Sequence, residues 1–143
     1  MFKSVLLTVD LNEKASWEKA LPHAVELVRS SQGVLHLLFV EPDYGTPMVE
    51  GFFPADFEKQ ALERAKAAMD ALVEREVPDD IYVKEHLSVG KLHTEVLKAI
   101  ENTQCDLVVM AAHAPDRVRE FLVGSNADRV VRRSPVSVLV VRA

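Results

Sequence analysis

Val34-Leu35-His36-Leu37-Leu38-Phe39-Val40 is a short, strongly apolar run, mostly without polar alternation, and its reading decides the fold. A strand with one face in water alternates apolar and polar side chains. A run this continuous fits a strand covered on both faces, the usual situation in a parallel sheet. Three further segments share its character: Ser4 to Val9, Leu107 to Ala111 and Val136 to Val141, all rich in Val and Leu. A weaker fifth, Ile81 to Leu87, alternates Ile81 and Val83 with Tyr82 and Lys84 and fits an edge strand.

Between the strands the period changes to that of amphipathic helices. Trp17, Ala20, Leu21, Ala24, Val25 and Val28 form one stripe, with Ser16 as the expected N-cap, Gly33 as the stop and a kink expected at Pro22. Phe57, Ala61, Ala65, Ala68, Met69 and Leu72 form a second stripe, in a helix that ends before Pro78. Leu92, Val96, Leu97 and Ile100 mark a third, and Ala127, Val130 and Val131 a fourth that stops at Ser134-Pro135. The order is β-α-β-α-β-α-β-α-β, which right-handed crossovers wind into an open five-stranded parallel sheet with helices on both faces. The segment from Glu41 to Ala55 is unpatterned but carries Tyr44, Met48, Val49, Phe52 and Phe53, side chains expected to fold back on the second helix.

The chain of 143 residues has the size of one domain, so residues 1–143 are read as one unit. Its balance of 48% apolar and 27% charged residues is that of a folded domain rather than a disordered one. A net charge of −5 gives no general attraction to nucleic acid or to anionic lipid. The opening Met1-Phe2-Lys3-Ser4 leads straight into an apolar strand, so no export signal or membrane insertion is expected and a cytoplasmic location is. Cys105 is the sole cysteine, and five scattered histidines lack zinc-ligand spacing, so neither a disulfide nor a structural metal is expected.

In an open parallel sheet the ligand crevice lies beyond the carboxyl ends of the strands, where the winding reverses. That rule singles out Thr8-Val9-Asp10 after the first strand, Phe39-Val40-Glu41 after the second and Ala111-Ala112-His113-Ala114 after the fourth. In the stretch from Met110 to Asn126, Ala111 and Ala114 are small residues separated by two others, and nine residues later Gly124-Ser125-Asn126 opens the last helix. Small residues let backbone N–H groups approach phosphate oxygens, and a helix N-terminus adds free donors. Alone, the same triplet is also an ordinary helix cap. Five arginines face three acids between His113 and Arg133, so Arg117, Arg119 or Arg129 either steers phosphate or lies on a solvated helix face. His113 is either a phosphate contact or a loop histidine. Asp10 either binds ribose or a nucleotide-bound Mg²⁺, or caps the turn after the first strand.

Across nearly its whole length the sequence resembles the universal stress protein family, in its small single-domain bacterial type. The resemblance is carried by Val5-Leu6-Leu7-Thr8-Val9-Asp10, by Val40, by Cys105-Asp106-Leu107-Val108-Val109-Met110 and by Pro135-Val136-Ser137-Val138-Leu139-Val140-Val141. It implies a Rossmann-like sheet of order 3-2-1-4-5, similar to the adenine nucleotide alpha hydrolase fold. Nucleotide-binding members carry Gly-x-x-Gly, nine residues, then Gly with Ser or Thr; here the spacing is kept with Ala111 and Ala114 in place of the first two glycines. By resemblance, Thr8, Val9 and Asp10 meet adenine or ribose, Val40 packs on adenine or hydrogen-bonds to it through its backbone, and Ala111, Ala114, Gly124, Ser125 and Asn126 hold the phosphates, with Met110 and His113 also among the nucleotide-binding residues. An alanine at a position needing positive φ costs roughly 1 kcal/mol, whereas at negative φ it is harmless.

The resemblance further implies ATP with Mg²⁺ as its counterion, a homodimer through the C-terminal strand, and a regulatory role exerted on a partner protein that the sequence does not identify. The competing reading is a homodimeric interaction module that binds no nucleotide. Dedicated catalysis finds no support. Gly90-Lys91 has Glu85 where a P-loop needs glycine, and Asp10-Leu11-Asn12 replaces the Ser-Gly-Gly-x-Asp-Ser turn of a related pyrophosphatase. Ser88-Val89-Gly90 after the third strand lacks the phosphoacceptor of a receiver domain.

Overall fold

The computed structural model describes residues 1–42, 57–112 and 125–143, with Ser125 described by its backbone alone. Among the described residues the order is β1 (Ser4–Thr8), α1 (Ala20–Ser31), β2 (Val34–Glu41), α2 (Phe57–Glu76), β3 (Tyr82–Val89), α3 (Leu92–Thr103), β4 (Leu107–Ala112), α4 (Ser125–Arg133) and β5 (Ser137–Arg142), with a 3₁₀ turn at Lys14–Ser16. The strands form one sheet of order β3-β2-β1-β4-β5, and every neighbouring pair is parallel. This is the architecture expected from the apolar runs, with β3 at an edge.

Alternate residues of the central strands feed two separate cores. Val5, Leu7, Leu35, Leu37 and Val109 pack under α1 and α2 with Leu21, Val25, Val28, Met69 and Leu72. Leu6, Leu38, Val108 and Met110 pack under α3 and α4 with Val96, Ile100, Ala127 and Val130. Full burial of a Val or Leu side chain stabilises by about 1.5–3 kcal/mol, so strands clothed on both faces carry much of the fold. Among the described residues no helix is long and apolar enough to cross a membrane.

Four local expectations change. Ser16 does not cap α1; it ends the 3₁₀ turn, while Lys19 precedes α1 without a side-chain cap. Pro22 is the third residue of α1, where its missing N–H has no intrahelical acceptor to lose, which removes the basis for the expected kink. The left-handed residue closing α1 is Gln32 (φ 56°), not Gly33. Gly33 is required for a different reason: a Cβ there would stand 2.3 Å from the Lys3 carbonyl oxygen. Val131, assigned to the buried stripe, is 48% exposed. The aromatic residues between Glu41 and Ala55 lie outside the described residues from position 43 onward.

Gly33→Ala forces the β1 and β2 starts apart, because the obstructing atom is backbone. Overpacking of this kind costs about 1–3 kcal/mol, and urea unfolding of the variant will show that loss in its midpoint.

Candidate functional site

All five strands point their carboxyl ends at one edge of the sheet. β1 and β4 are neighbours whose chain connections run in opposite directions, so the layers part above them. The opening is a cleft of about 610 Å³. Among the expected residues, Thr8, Val9 and Asp10 of the β1 end, Val40 of β2, Met110 and Ala111 of β4, and Asn126 of α4 line it together. His113, Ala114 and Gly124 lie outside the described residues, and for Ser125 only the helical backbone at the start of α4 is given.

The β1 end is held by short-range hydrogen bonds. Val9 N–H donates to the Leu38 carbonyl at 2.9 Å, carrying the ladder one residue past β1. Asp10 N–H donates to Ser16 Oγ at 2.8 Å, and Asp10 Oδ1 accepts from Asn12 N–H at 2.9 Å. Asp10 therefore caps its own turn, while Oδ2 has no hydrogen-bond partner among the described residues. Both sequence readings of Asp10 survive on one side chain.

Ala111 lies within β4, and the positive-φ residues other than glycine among those described are Gln32 and Gln104. Its backbone is thus extended and glycine is not needed there. Its methyl group packs against the core under α1 and α2.

The other wall comes from the turn between β3 and α3, which sequence reasoning missed. Gly90, Lys91, Leu92 and His93 all line the cleft. Gly90 N–H donates to the Glu41 carbonyl at 3.0 Å, tying this turn to the end of β2. Its φ of +146° favours glycine, and a Cβ would meet Glu95 Oε2 at 3.1 Å. The signal was available: β3 neighbours β2, so the rule about strand ends extends to it, but Gly90-Lys91 drew notice only as a failed P-loop. Phe39 lines the cleft as expected from its place at the β2 end, whereas Ser16, Pro42 and Ala127 were missed as lining residues, and of the three arginines considered for phosphate steering Arg129 lines the cleft.

Two cations, Lys91 and Arg129, thus face one carboxylate, Asp10, in a chain of net charge −5. α3 begins at this wall with Lys91 as N-cap and no side-chain cap, so its free amides add partial positive charge. Val9, Phe39, Val40 and Met110 supply an apolar floor. Chemically the cleft suits a ligand with a flat apolar part and an anionic part. Among the described residues no group of three or more His, Cys, Asp or Glu side chains is placed to hold a metal ion.

An open parallel α/β domain with a crevice at its switch point defines a broad class of ligand-binding proteins. Within that class the universal stress protein family model matches residues 1–142, and the chain belongs to that family. Universal stress protein G of Shigella flexneri is 32% identical over 145 residues, covering 99% of this chain and all of that protein. Universal stress protein MJ0577 of Methanocaldococcus jannaschii is 27% identical over 158 residues, covering 99% of this chain and 96% of that one. The solved structure of hypothetical protein MJ0577 superposes with a TM-score of 0.75 at 26% identity, covering all of this chain and 97% of that one. A universal stress protein solved in complex with cAMP shares the fold at a TM-score of 0.62 and 21% identity, covering 99% and 97% of the two chains.

Gly90→Ala places a side chain where the backbone is left-handed and Glu95 is close. The expected cost is about 1–3 kcal/mol, measured by chemical denaturation, with the amide shifts of Glu41 and Lys91 moving most in NMR spectra.

Proposed function

We propose that the chain is an ATP-binding regulatory protein of the stress response, in which nucleotide in the cleft alters affinity for a partner protein. The observation that supports this best is the convergence of Thr8, Val9, Asp10, Val40, Met110, Ala111 and Asn126 on one cleft that also carries Lys91 and Arg129. The base would lie over Val9 and Val40 and the ribose at Asp10. The phosphates would lie toward the start of α4, with Ala111 and Asn126 beside them and with His113, Ala114, Gly124 and Ser125 completing the cradle. Mg²⁺ would enter with the phosphates, and Asp10 Oδ2 is the oxygen free to meet it. When bound, the ion neutralises phosphate charge; Lys91 and Arg129 add to that neutralisation.

This is a binding site rather than a catalytic one. Asp10, the one carboxylate among the described lining residues, holds its own turn through Oδ1 and the Asn12 N–H and leaves Oδ2 to the bound ligand. The working location would be the cytoplasm.

Nucleotide-stripped protein is titrated with MgATP by calorimetry beside Asn126→Asp, which sets a carboxylate in the cleft at an exposed position. Micromolar binding weakened by about tenfold or more in the variant is expected, a change of about 1.4 kcal/mol. Absence of binding by the native chain favours the nucleotide-free interaction module instead. Because another protein of this fold was solved with cAMP, cAMP is titrated in parallel as the competing ligand.

The same proposal includes a homodimer through β5. That strand is an edge of the sheet, Leu139 on it is 37% exposed, and Val131 stands exposed on α4, which packs beside it. An apolar edge calls for pairing or cover. Light scattering is expected to give twice the 15.9 kDa chain mass, and Leu139→Lys to shift the population toward the single chain; a native protein that scatters as a monomer at micromolar concentration refutes the pairing.

A further inference from the structure

The layer between the sheet and α3 contains a polar pair amid apolar neighbours. His36 is 6% exposed, and its Nδ1 lies 2.8 Å from Nε2 of His86. The rings are tilted by 32° with centroids 5.0 Å apart. In the β2–β3 register Lys84 is opposite His36 and Leu38 is opposite His86, so the imidazoles meet diagonally across the two strands. Just beyond them Val40 pairs with Ser88 and Glu41 with Val89. Then comes the Gly90 N–H bond to Glu41 and the cleft wall. The histidine pair is a side-chain hydrogen-bond contact between β2 and β3 on the approach to that wall.

One ring nitrogen donates and the other accepts, which requires both rings to be neutral or one to be charged. A first proton on the buried His36 creates an imidazolium away from water and near the Lys84 ammonium, while His86 is half-buried. A second leaves two donors face to face with no acceptor. Burial first, then the charge of His86 and that of Lys84, push His36 down to about 4. Burial first and then Lys84 also lower His86. Among the described residues no neighbouring carboxylate is set to rescue the charged form. β1 presents Leu6 opposite His36, and α3 and α4 contribute Val96, Ile100 and Val130 to this core. Of the ionisable groups on α3, Glu95 and Lys98 pair with each other at 3.2 Å, His93 lines the cleft and Glu101 is exposed. On α4, Asp128 pairs with Arg132 and Arg129 lines the cleft.

We propose that the His36–His86 pair is an acid-sensitive latch on the cleft: neutral, it holds together the β2 and β3 ends that carry Val40 and Gly90 to His93; protonated, it releases them and the ligand with them. The ligand half of this statement rests on the nucleotide reading above.

The sign follows from proton counting. An opened, hydrated imidazole titrates near 6.5 and the closed His36 near 4, so the closed state binds fewer protons between those values. Its stabilisation is complete above about pH 6.5 and is lost as pH falls toward 4. For His36 alone, going from pH 7.5 to pH 5 favours opening by about 30-fold.

Amide hydrogen exchange, corrected for intrinsic chemistry, is measured by NMR at pH 7.5 and pH 5 on the native chain, with MgATP titrated at both. Protection at Gly90 and the β2–β3 end is expected to fall by about 30-fold more than at β1 and β4. MgATP affinity is expected to fall further than in the His36→Leu/His86→Leu double variant, in which the titration of ATP itself remains. Lys84→Gln keeps the pair and removes the opposing charge, so the closed state accepts a proton more readily and release should move to lower pH; it decides the matter if the double variant does not fold. Equal loss of protection over the whole sheet, or an unmoved transition in Lys84→Gln, overturns the latch. Selective loss of protection without MgATP binding at either pH sinks the nucleotide reading and leaves the latch. Binding with the same pH dependence in native and double-variant protein sinks the latch and leaves the nucleotide reading.

Discussion

Everything in this molecule depends on β1 being sealed on both faces. Val5, Leu6 and Leu7 have no exposed surface, and their backbone is paired to β2 on one side and β4 on the other. Because the strand gives alternate side chains to opposite cores, neither helical layer can be removed without uncovering it. The same placement makes β1 the strand from which the winding diverges. The most buried strand therefore ends at the mouth of the cleft, and the residues that lead out of the core, Thr8 to Asp10, are held in place by it.

Rigidity below and openness above are produced by the same parallel arrangement. Parallel strands need crossover helices, and these cover the faces while leaving the carboxyl ends free. The turns at those ends are then fixed one by one, through Ser16 Oγ and Asn12 N–H on Asp10, and through the Glu41 carbonyl on Gly90. The cleft is a set of locally braced turns mounted on an apolar slab.

Much of this was legible in the chain itself. Continuous apolar runs identified β1, β2 and β4, because burial on both faces abolishes alternation and leaves a strong signal; the same kind of run identified β5, although its residues alternate between exposed and half-buried at the sheet edge. The helical stripes were equally plain, since α1, α2 and α3 each turn one face to the sheet. What failed was local. Ser16 was read as the α1 cap, and Pro22 as lying deep enough in α1 to kink it, because periodicity cannot register that a 3₁₀ turn intervenes before the helix proper. Val131 falls on the right period but sits near the end of a short helix, where the covering layer runs out. At the cleft, strand-end logic found the β1, β2 and β4 contributions, and it missed Gly90 to His93 because a comparison with one phosphate motif displaced the topological question. The His36–His86 contact has no sequence signal, since fifty residues separate partners that only the β2–β3 register brings together.

The two margins of the sheet differ in kind. β5 offers Val138, Leu139 and Val140 at its edge, whereas β3 carries Lys84 and Glu85, and Lys84 lies over the exposed Tyr82 ring. A charged margin is a poor template for a strand from another molecule. Two chains that join through β5 consume their adhesive margins on each other and present only guarded ones outward. In the proposed dimer, association would be self-terminating: it would close at two rather than run into an endless ribbon.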